Sequence, residues 1–443
     1  MRSNRTSLAA ACSGYFFVLL DVTIVNVALA RIARDLGTSR ADLQWVVDGY
    51  ALVLAAMMLS AGTLADLYGR RRVFVFGLAG FGVASLLCGL APGVGTLVAA
   101  RVLQGLAAAA ILPTSLAIVG YAFPEPRERA RAIGVWAGVG SLALIAGPIL
   151  GGALVDGLGW RAIFIINVPL SALALALTLA AVDESSDPSK EGVDVRGQVF
   201  GALFLGLAVF ALIEGRRLGW TSPEIVASAV VALASLAAFL AAERKAVRPM
   251  LDLRFFRKPD FTAANVGAGL MNLGTLGALF ALSLFLQRVQ GKTPLETGLH
   301  LLPWLGPLAL LAPLAGRLTG VIGPRLPAAL GLVATGIGYL LLTGIGPDTS
   351  FAAIWPPLAL AGVGLAAATP ALVTGATAAV PRERSGMASA VNNTARQVGG
   401  AVGVALIGGL STIGSSLAVS GAALVCGGSL VLLIPLATKS QSV

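Results

Sequence analysis

The sequence predicts an all-α polytopic membrane protein with fourteen spans. Two observations lead there: an excess of apolar residues and their arrangement in repeated runs. The chain is 57% hydrophobic and 12% charged, with a mean hydropathy of +0.87, whereas an average soluble domain carries about 25% charged residues. Apolar runs of about 17 to 25 residues recur from Leu8 onward, each long enough to cross a hydrocarbon core as a helix. They lie near 8–30, 44–64, 73–91, 95–119, 130–152, 160–181, 198–214, 222–242, 261–286, 297–316, 325–343, 353–372, 387–410 and 416–438.

The first run follows Arg2 and Arg5 and precedes Ala28-Leu29-Ala30, an arrangement shared with cleaved signal peptides. Asp21 and Asn26 interrupt its apolar character and favour a retained first span. Asp21 is the first of three ionisable groups expected inside the membrane, where each is costly and therefore a candidate functional site. Asp48, in Gln44-Trp45-Val46-Val47-Asp48-Gly49-Tyr50, lies near the outer end of span two. Arg101 lies deep in span four with no acid in its own span, and so requires a partner on another helix. A carboxylate that alternates between a guanidinium neighbour and dry surroundings releases and takes up a proton. Asp21 and Arg101, with Asp48 as a second acid, are therefore expected to couple transport to protons.

Between spans two and three runs Gly62-Thr63-Leu64-Ala65-Asp66-Leu67-Tyr68-Gly69-Arg70-Arg71-Arg72. Its glycines allow a tight turn, Asp66 can face a helix N-terminus or an arginine, and the arginines fix topology. Gly147-Pro148-Ile149-Leu150-Gly151-Gly152 ends span five, where proline bends a helix and small residues admit a close neighbour. Both a packing kink and a hinge fit that segment. The longest polar stretch, Asp183 to Arg196, is read as a linker. Glu214 with Arg216 and Arg217 reads as an exposed charge cluster at a helix end. His300, the only histidine, follows Glu296 by a helical turn and reads as a hydrogen-bonded residue at the membrane interface. Spans nine to fourteen contain no deeply placed acid.

The net charge of +10 raises nucleic acid as a partner, but the basic residues sit mostly in short loops rather than on one face. Most of them fall in the loops that are cytoplasmic if both termini lie inside, as the positive-inside rule requires. Cys12, Cys88 and Cys426 lie apart within spans, without metal or redox spacing. No phosphate-binding Gly-Lys-Ser/Thr loop occurs, which argues against ATP-driven pumping. No cofactor or metal is expected. An enzyme would need a nucleophile and base, or paired acids, converging on a cavity, and the sparse ionisable residues offer little for that.

Gly62, Leu64, Gly69 and Arg71 recur as Gly316, Leu318, Gly323 and Arg325 at a constant offset of 254. Both copies follow an even-numbered span, as a repeat of parallel halves would place them, and the offset leaves room for two extra helices inserted between the halves. The expected organisation is an N-terminal six-helix bundle at 1–182, a linker with two inserted helices at 183–258, and a C-terminal six-helix bundle at 259–443.

At these residues the chain resembles the drug/proton antiporters of the major facilitator superfamily, in particular the fourteen-helix branch. The Asp66 loop resembles the family's cytoplasmic signature, in which Gly62, Asp66, Gly69 and Arg70 imply a charge latch. Arg101, Gln104 and Gly105 match its fourth-helix motif, linked to proton transfer, and Gly147, Pro148, Gly151 and Gly152 match its fifth-helix antiporter motif. Branch-specific matches are the Asp21 to Leu29 string, Trp160-Arg161 with Ile166-Asn167-Val168-Pro169, and Asn392-Asn393-Thr394-Ala395-Arg396-Gln397-Val398-Gly399-Gly400. Ala143 departs from the motif, which usually begins with glycine. The resemblance implies a proton-coupled antiporter exporting small amphipathic organic molecules, drugs or antibiotics, from a bacterial cytoplasmic membrane as a monomer. It places Asn26, Gln104, Asn392, Asn393 and Arg396 at a substrate cavity. An importer or a lipid or metabolite exporter on the same fold is the nearest rival, ahead of a membrane enzyme or channel.

Overall fold

A computed structural model describes residues 4–186, 194–246, 251–381 and 385–433. Its helices are α1 (Asn4–Leu36), α2 (Arg40–Tyr68), α3 (Arg70–Gly89), α4 (Val94–Ala122), α5 (Pro126–Leu158), α6 (Ala162–Ile165), α7 (Asn167–Ala181), α8 (Val195–Leu218), α9 (Pro223–Lys245), α10 (Pro259–Arg288), α11 (Pro294–His300), α12 (Leu302–Ile322), α13 (Arg325–Leu341), α14 (Phe351–Ala378), α15 (Ser385–Gly408) and α16 (Ile413–Leu433). Twelve segments among the described residues are long and apolar enough to cross a membrane, α6 and α7 counting together. Two more complete the fourteen: α13, an apolar helix of 17 residues, and α15, whose 24 residues include Asn392, Asn393, Thr394, Arg396 and Gln397. Each crossing segment overlaps one of the fourteen predicted apolar runs.

Local sequence sets the ends and breaks. Ser39 and Asp42 form a reciprocal cap on α2: the Asp42 amide donates to Ser39 Oγ at 3.2 Å and the Ser39 amide donates to Asp42 Oδ2 at 2.8 Å. Asp194 accepts from the Gly197 amide at 2.9 Å and starts α8. The α6–α7 break precedes Pro169, which has no amide hydrogen to offer the preceding turn. Pro303, second residue of α12, accompanies the similar break after α11.

Two compact units result: Met1–Phe239 with Ser283–Leu299, and Leu240–Leu282 with His300–Val443. In the first, α4 packs on α1, α2 and α3, while α5 lies along α1 and α8 along α2. Its apolar core includes Phe17, Leu54, Phe74, Phe81 and Ile111. Gly147 and Gly151 bring α5 against Thr23 and Ile24 of α1, where a Cβ would collide with either side chain. In the second unit α14 packs on α12, α13 and α15, and α13 on α16. Phe76, Val83, Leu310, Leu314 and Leu341 are among the many large apolar side chains left exposed, as surfaces facing lipid require.

The repeat seen in the sequence has a structural counterpart. Gly69 and Gly323 cap α2 and α12 with φ of 109° and 84°, backbone angles that side chains with a Cβ seldom adopt. Gly62 lies against Pro113 of α4 and Gly316 against Pro370 of α14. Arg71 Nη2 donates to the Leu179 carbonyl at the end of α7, at 2.9 Å, and Arg325 Nε donates to the Val431 carbonyl at the end of α16, at 3.1 Å. Arg71 thus satisfies a carbonyl that the C-terminus of α7 leaves open, and Arg325 bonds the last described turn of α16.

Candidate functional site

The partner that Arg101 requires is Asp21. Arg101 and Asp21 are 1% and 0% exposed and form an ion pair through Nη1 and Oδ2. Gln104, one turn after Arg101 on the same face of α4, accepts from Arg101 Nη1 at 2.7 Å and donates to Asp21 Oδ1 at 3.0 Å. Asn167 Nδ2, on α7, donates to the same Oδ1 at 3.3 Å. Gln104 Nε2 also donates to Ser85 Oγ of α3 at 2.9 Å. Arg101 Nε donates to the Val46 carbonyl at 2.9 Å, and the guanidinium sits 4.3 Å from the ring centre of Tyr50 and 5.8 Å from that of Phe164. One charge pair therefore draws on six helices, α1, α2, α3, α4, α6 and α7. Gly105 makes the approach possible: a Cβ there would strike the Tyr50 carbonyl.

Asp48 is different. It is fully buried, and neither carboxyl oxygen has a hydrogen-bond partner among the described residues. It lies within the first unit rather than facing water.

At the start of α3, Asp66 Oδ1 accepts from Arg70 Nη2 at 2.8 Å and from Nε at 2.9 Å. Glu184, in the predicted linker, sits beneath Gly69 and accepts from the Arg71 and Arg72 amides at 3.0 and 3.2 Å. It caps α3, and a Cβ at residue 69 would lie 2.7 Å from its carboxylate. The sequence signal available was an acid pair, Asp183-Glu184, directly after a span and on the same side as the arginines.

One expectation is corrected. Glu214 is 6% exposed, not a surface charge: Trp45 Nε1 donates to it at 2.9 Å across the α2–α8 contact, and Arg217 pairs with it. Further along the same contact Gln198 Nε2 donates to the Ala56 carbonyl at 2.9 Å and its Oε1 accepts from the Ser60 hydroxyl. Of the residues assigned to a cavity, Gln104 is engaged by Asp21 and its neighbours, so its amide is not free for a ligand. Asn26 is buried and donates to Val22 one turn back at 3.0 Å. Asn392 is fully buried and donates to Ala264 and Asn265 of α10 at 3.3 and 3.4 Å. Asn393 and Arg396 are half-buried. His300 rests on Phe351, ring centres 4.4 Å apart.

A multi-pass bundle with a buried, charge-paired acid defines a membrane transporter. Residues 11–404 match the Major Facilitator Superfamily, and the chain belongs to it. It is 42% identical to multidrug resistance protein Stp of Mycobacterium tuberculosis, over 92% of this chain and 76% of the relative. It is 34% identical to the methylenomycin A resistance protein of Streptomyces coelicolor, over 90% of this chain and 84% of the relative. With drug efflux pump JefA of M. tuberculosis the identity is 38%, over 91% and 80%. The crystal structure of a POT family transporter has the same fold at a TM-score of 0.74 and 14% identity, over 96% of this chain and 95% of that one.

Proposed function

We propose that this chain is a proton-coupled antiporter that exports small organic molecules, drugs or antibiotics, by alternating access. Its membrane is the bacterial cytoplasmic membrane, with both termini cytoplasmic, and it acts as a monomer. The observation that carries this reading is the enclosed Asp21–Arg101 pair with its Gln104 and Asn167 ligands. The names of the relatives, resistance and efflux proteins, support the direction and the class of cargo.

Asp21 is surrounded by the donors Arg101, Gln104 and Asn167, and in the proposed cycle Arg101 withdraws as Asp21 takes up a proton. Asp48 is a second buried acid of the same unit, and neither of its carboxyl oxygens has a hydrogen-bond partner among the described residues. One acid is fully engaged and the other has no bonded partner among the described residues, and both are assigned to proton coupling. The latch residues Gly62, Asp66, Gly69 and Arg70, and the α5 segment Gly147, Pro148, Gly151 and Gly152, stabilise and switch the access states. Asn393 and Arg396, half-buried on α15, contact cargo.

Reconstitution into vesicles with an imposed pH gradient tests the proposal, using a panel of cationic, neutral and anionic antibiotics. Drug-induced proton exchange is expected in the native protein and is lost in Asp21→Asn. Asp48→Asn removes the second acid at nearly constant volume, and exchange is expected to be impaired. Transport that ignores the gradient, or full exchange in Asp21→Asn, rejects proton antiport through this acid.

A further inference from the structure

Arginines converge at one end of the first unit, where α1, α8 and α10 finish and α2 begins. A cavity of about 310 Å³ there is lined by Ala30, Ala33, Arg34, Thr38, Gln287 and Arg288, at the small end of the range for small-molecule sites. Arg40 stands two residues beyond Thr38, and the charges acting on it are those of Arg288 and Arg216, both positive. Opposing acids are already engaged: Asp35 by Arg31 at 3.2 Å, Asp42 by Ser39, Glu214 by Arg217 and Trp45, and Asp156 by the Leu295 amide at 3.0 Å. Two donors at the site are buried without a partner, the Thr38 hydroxyl and Arg40 Nε. Gln287 is held in place by its own bond to the Val27 carbonyl at 2.9 Å.

Like charges gathered in a partly dry recess repel one another, and a bound anion removes that repulsion. Guanidinium groups and a hydroxyl make a donor set that suits an oxyanion. We propose that this cavity binds a phosphate group through Arg34, Arg288 and Thr38, with Arg40 and Arg216 supplying field. The phosphate comes either from the headgroup of an anionic lipid or from a free ion, since helix ends sit at headgroup depth. The site is independent of the proton-coupling proposal, as it shares no residue with the Asp21 network.

Thermal unfolding of the purified full-length protein tests this, with inorganic phosphate set against chloride at equal ionic strength, and phosphatidylglycerol against phosphatidylcholine. Phosphate or phosphatidylglycerol is expected to raise the midpoint of the native protein. A response to phosphatidylglycerol that exceeds the phosphate response assigns the headgroup, and a response to phosphate alone assigns the free ion. Arg288→Gln and the exposed Arg34→Gln each weaken apparent affinity by about tenfold or more, as loss of a charge-assisted bond implies. Arg40→Gln raises the midpoint in chloride, by relieving repulsion, and shrinks the added gain from phosphate. Equal gains in the native protein and in Arg34→Gln and Arg288→Gln, or no gain in the native protein from either phosphate over chloride or phosphatidylglycerol over phosphatidylcholine, overturns the site.

Discussion

The two compact units are built on related helix pairings and on close glycine contacts, and they differ in the weight that a buried charge pair carries in the first. In the first, an ion pair and its amide ligands tie six helices. In the second, backbones touch backbones: Gly331 meets Gly364, Gly336 meets Gly421, Gly399 meets Gly269 and Gly403 meets Leu273, all without room for a Cβ. Lipid supplies no hydrophobic drive between helices, so both solutions answer one problem, either polar bonds or close van der Waals contact. The contrast teaches where chemistry can reside. A charge pair can change partners when a proton arrives; a glycine contact cannot.

The largest expected effect follows from unpairing the charge. Arg101→Leu leaves Asp21 buried without its cation, a loss of about 3–5 kcal/mol for a broken buried pair. Adding Asp21→Asn to Arg101→Leu restores much of that loss, because no uncompensated charge remains. Unfolding curves of the single and double variants in detergent measure both. Should Arg101→Leu unfold like the native protein, ion pairing does not organise the first unit and the comparison fails.

Much of this contrast was legible in the sequence. Asp21 and Arg101 stood out because charges at mid-span are rare, and the absence of acids from spans nine to fourteen needed only inspection. The helices were legible because lipid demands long apolar runs. Ser85 and Asn167 were not identifiable as partners of the network, since neutral polar residues inside spans are common and only packing shows which carboxylate they meet. Glu214 was misjudged for a similar reason: neighbouring arginines suggested a surface, while the partner that buries it, Trp45, lies 169 positions away. Asn392 belonged to a recognisable motif, but its burial against Asn265 depends on how α10 and α15 pack.

A smaller effect is expected from filling a backbone contact in the second unit. At Gly399 a Cβ would run into the Gly269 carbonyl, and backbone cannot rotate aside. Gly399→Val should therefore destabilise by about 1–3 kcal/mol, the usual range for overpacking. Gly147→Ala in the first unit meets mainly the Thr23 side chain, which can change rotamer, so its effect should be the lesser of the two. Parallel unfolding measurements on the two variants compare them. Equal losses would mean that the first unit relies on backbone contact as much as the second does.

The smallest effect concerns a feature both units share, an arginine bonded to a carbonyl in the last described turn of a neighbouring helix. In the first unit the start of α3 has an additional cap, Glu184, whose carboxylate accepts from two amides. It also lies 3.7 Å from Arg72, a contact too exposed to matter much. An acid at a helix N-terminus contributes about 0.3–1 kcal/mol through the helix dipole, so Glu184→Gln should cost an amount in that range. Because the amides need an acceptor more than a charge, Gln retains part of the cap and Glu184→Ala should cost more. Amide hydrogen exchange at Arg71 and Arg72 reads the difference directly, with protection falling in the order Glu, Gln, Ala. Unchanged protection in Glu184→Ala would assign the ordering of this turn to Asp66 and Arg70, a pair with no counterpart in the second copy, where Gly320 and Pro324 stand at those places.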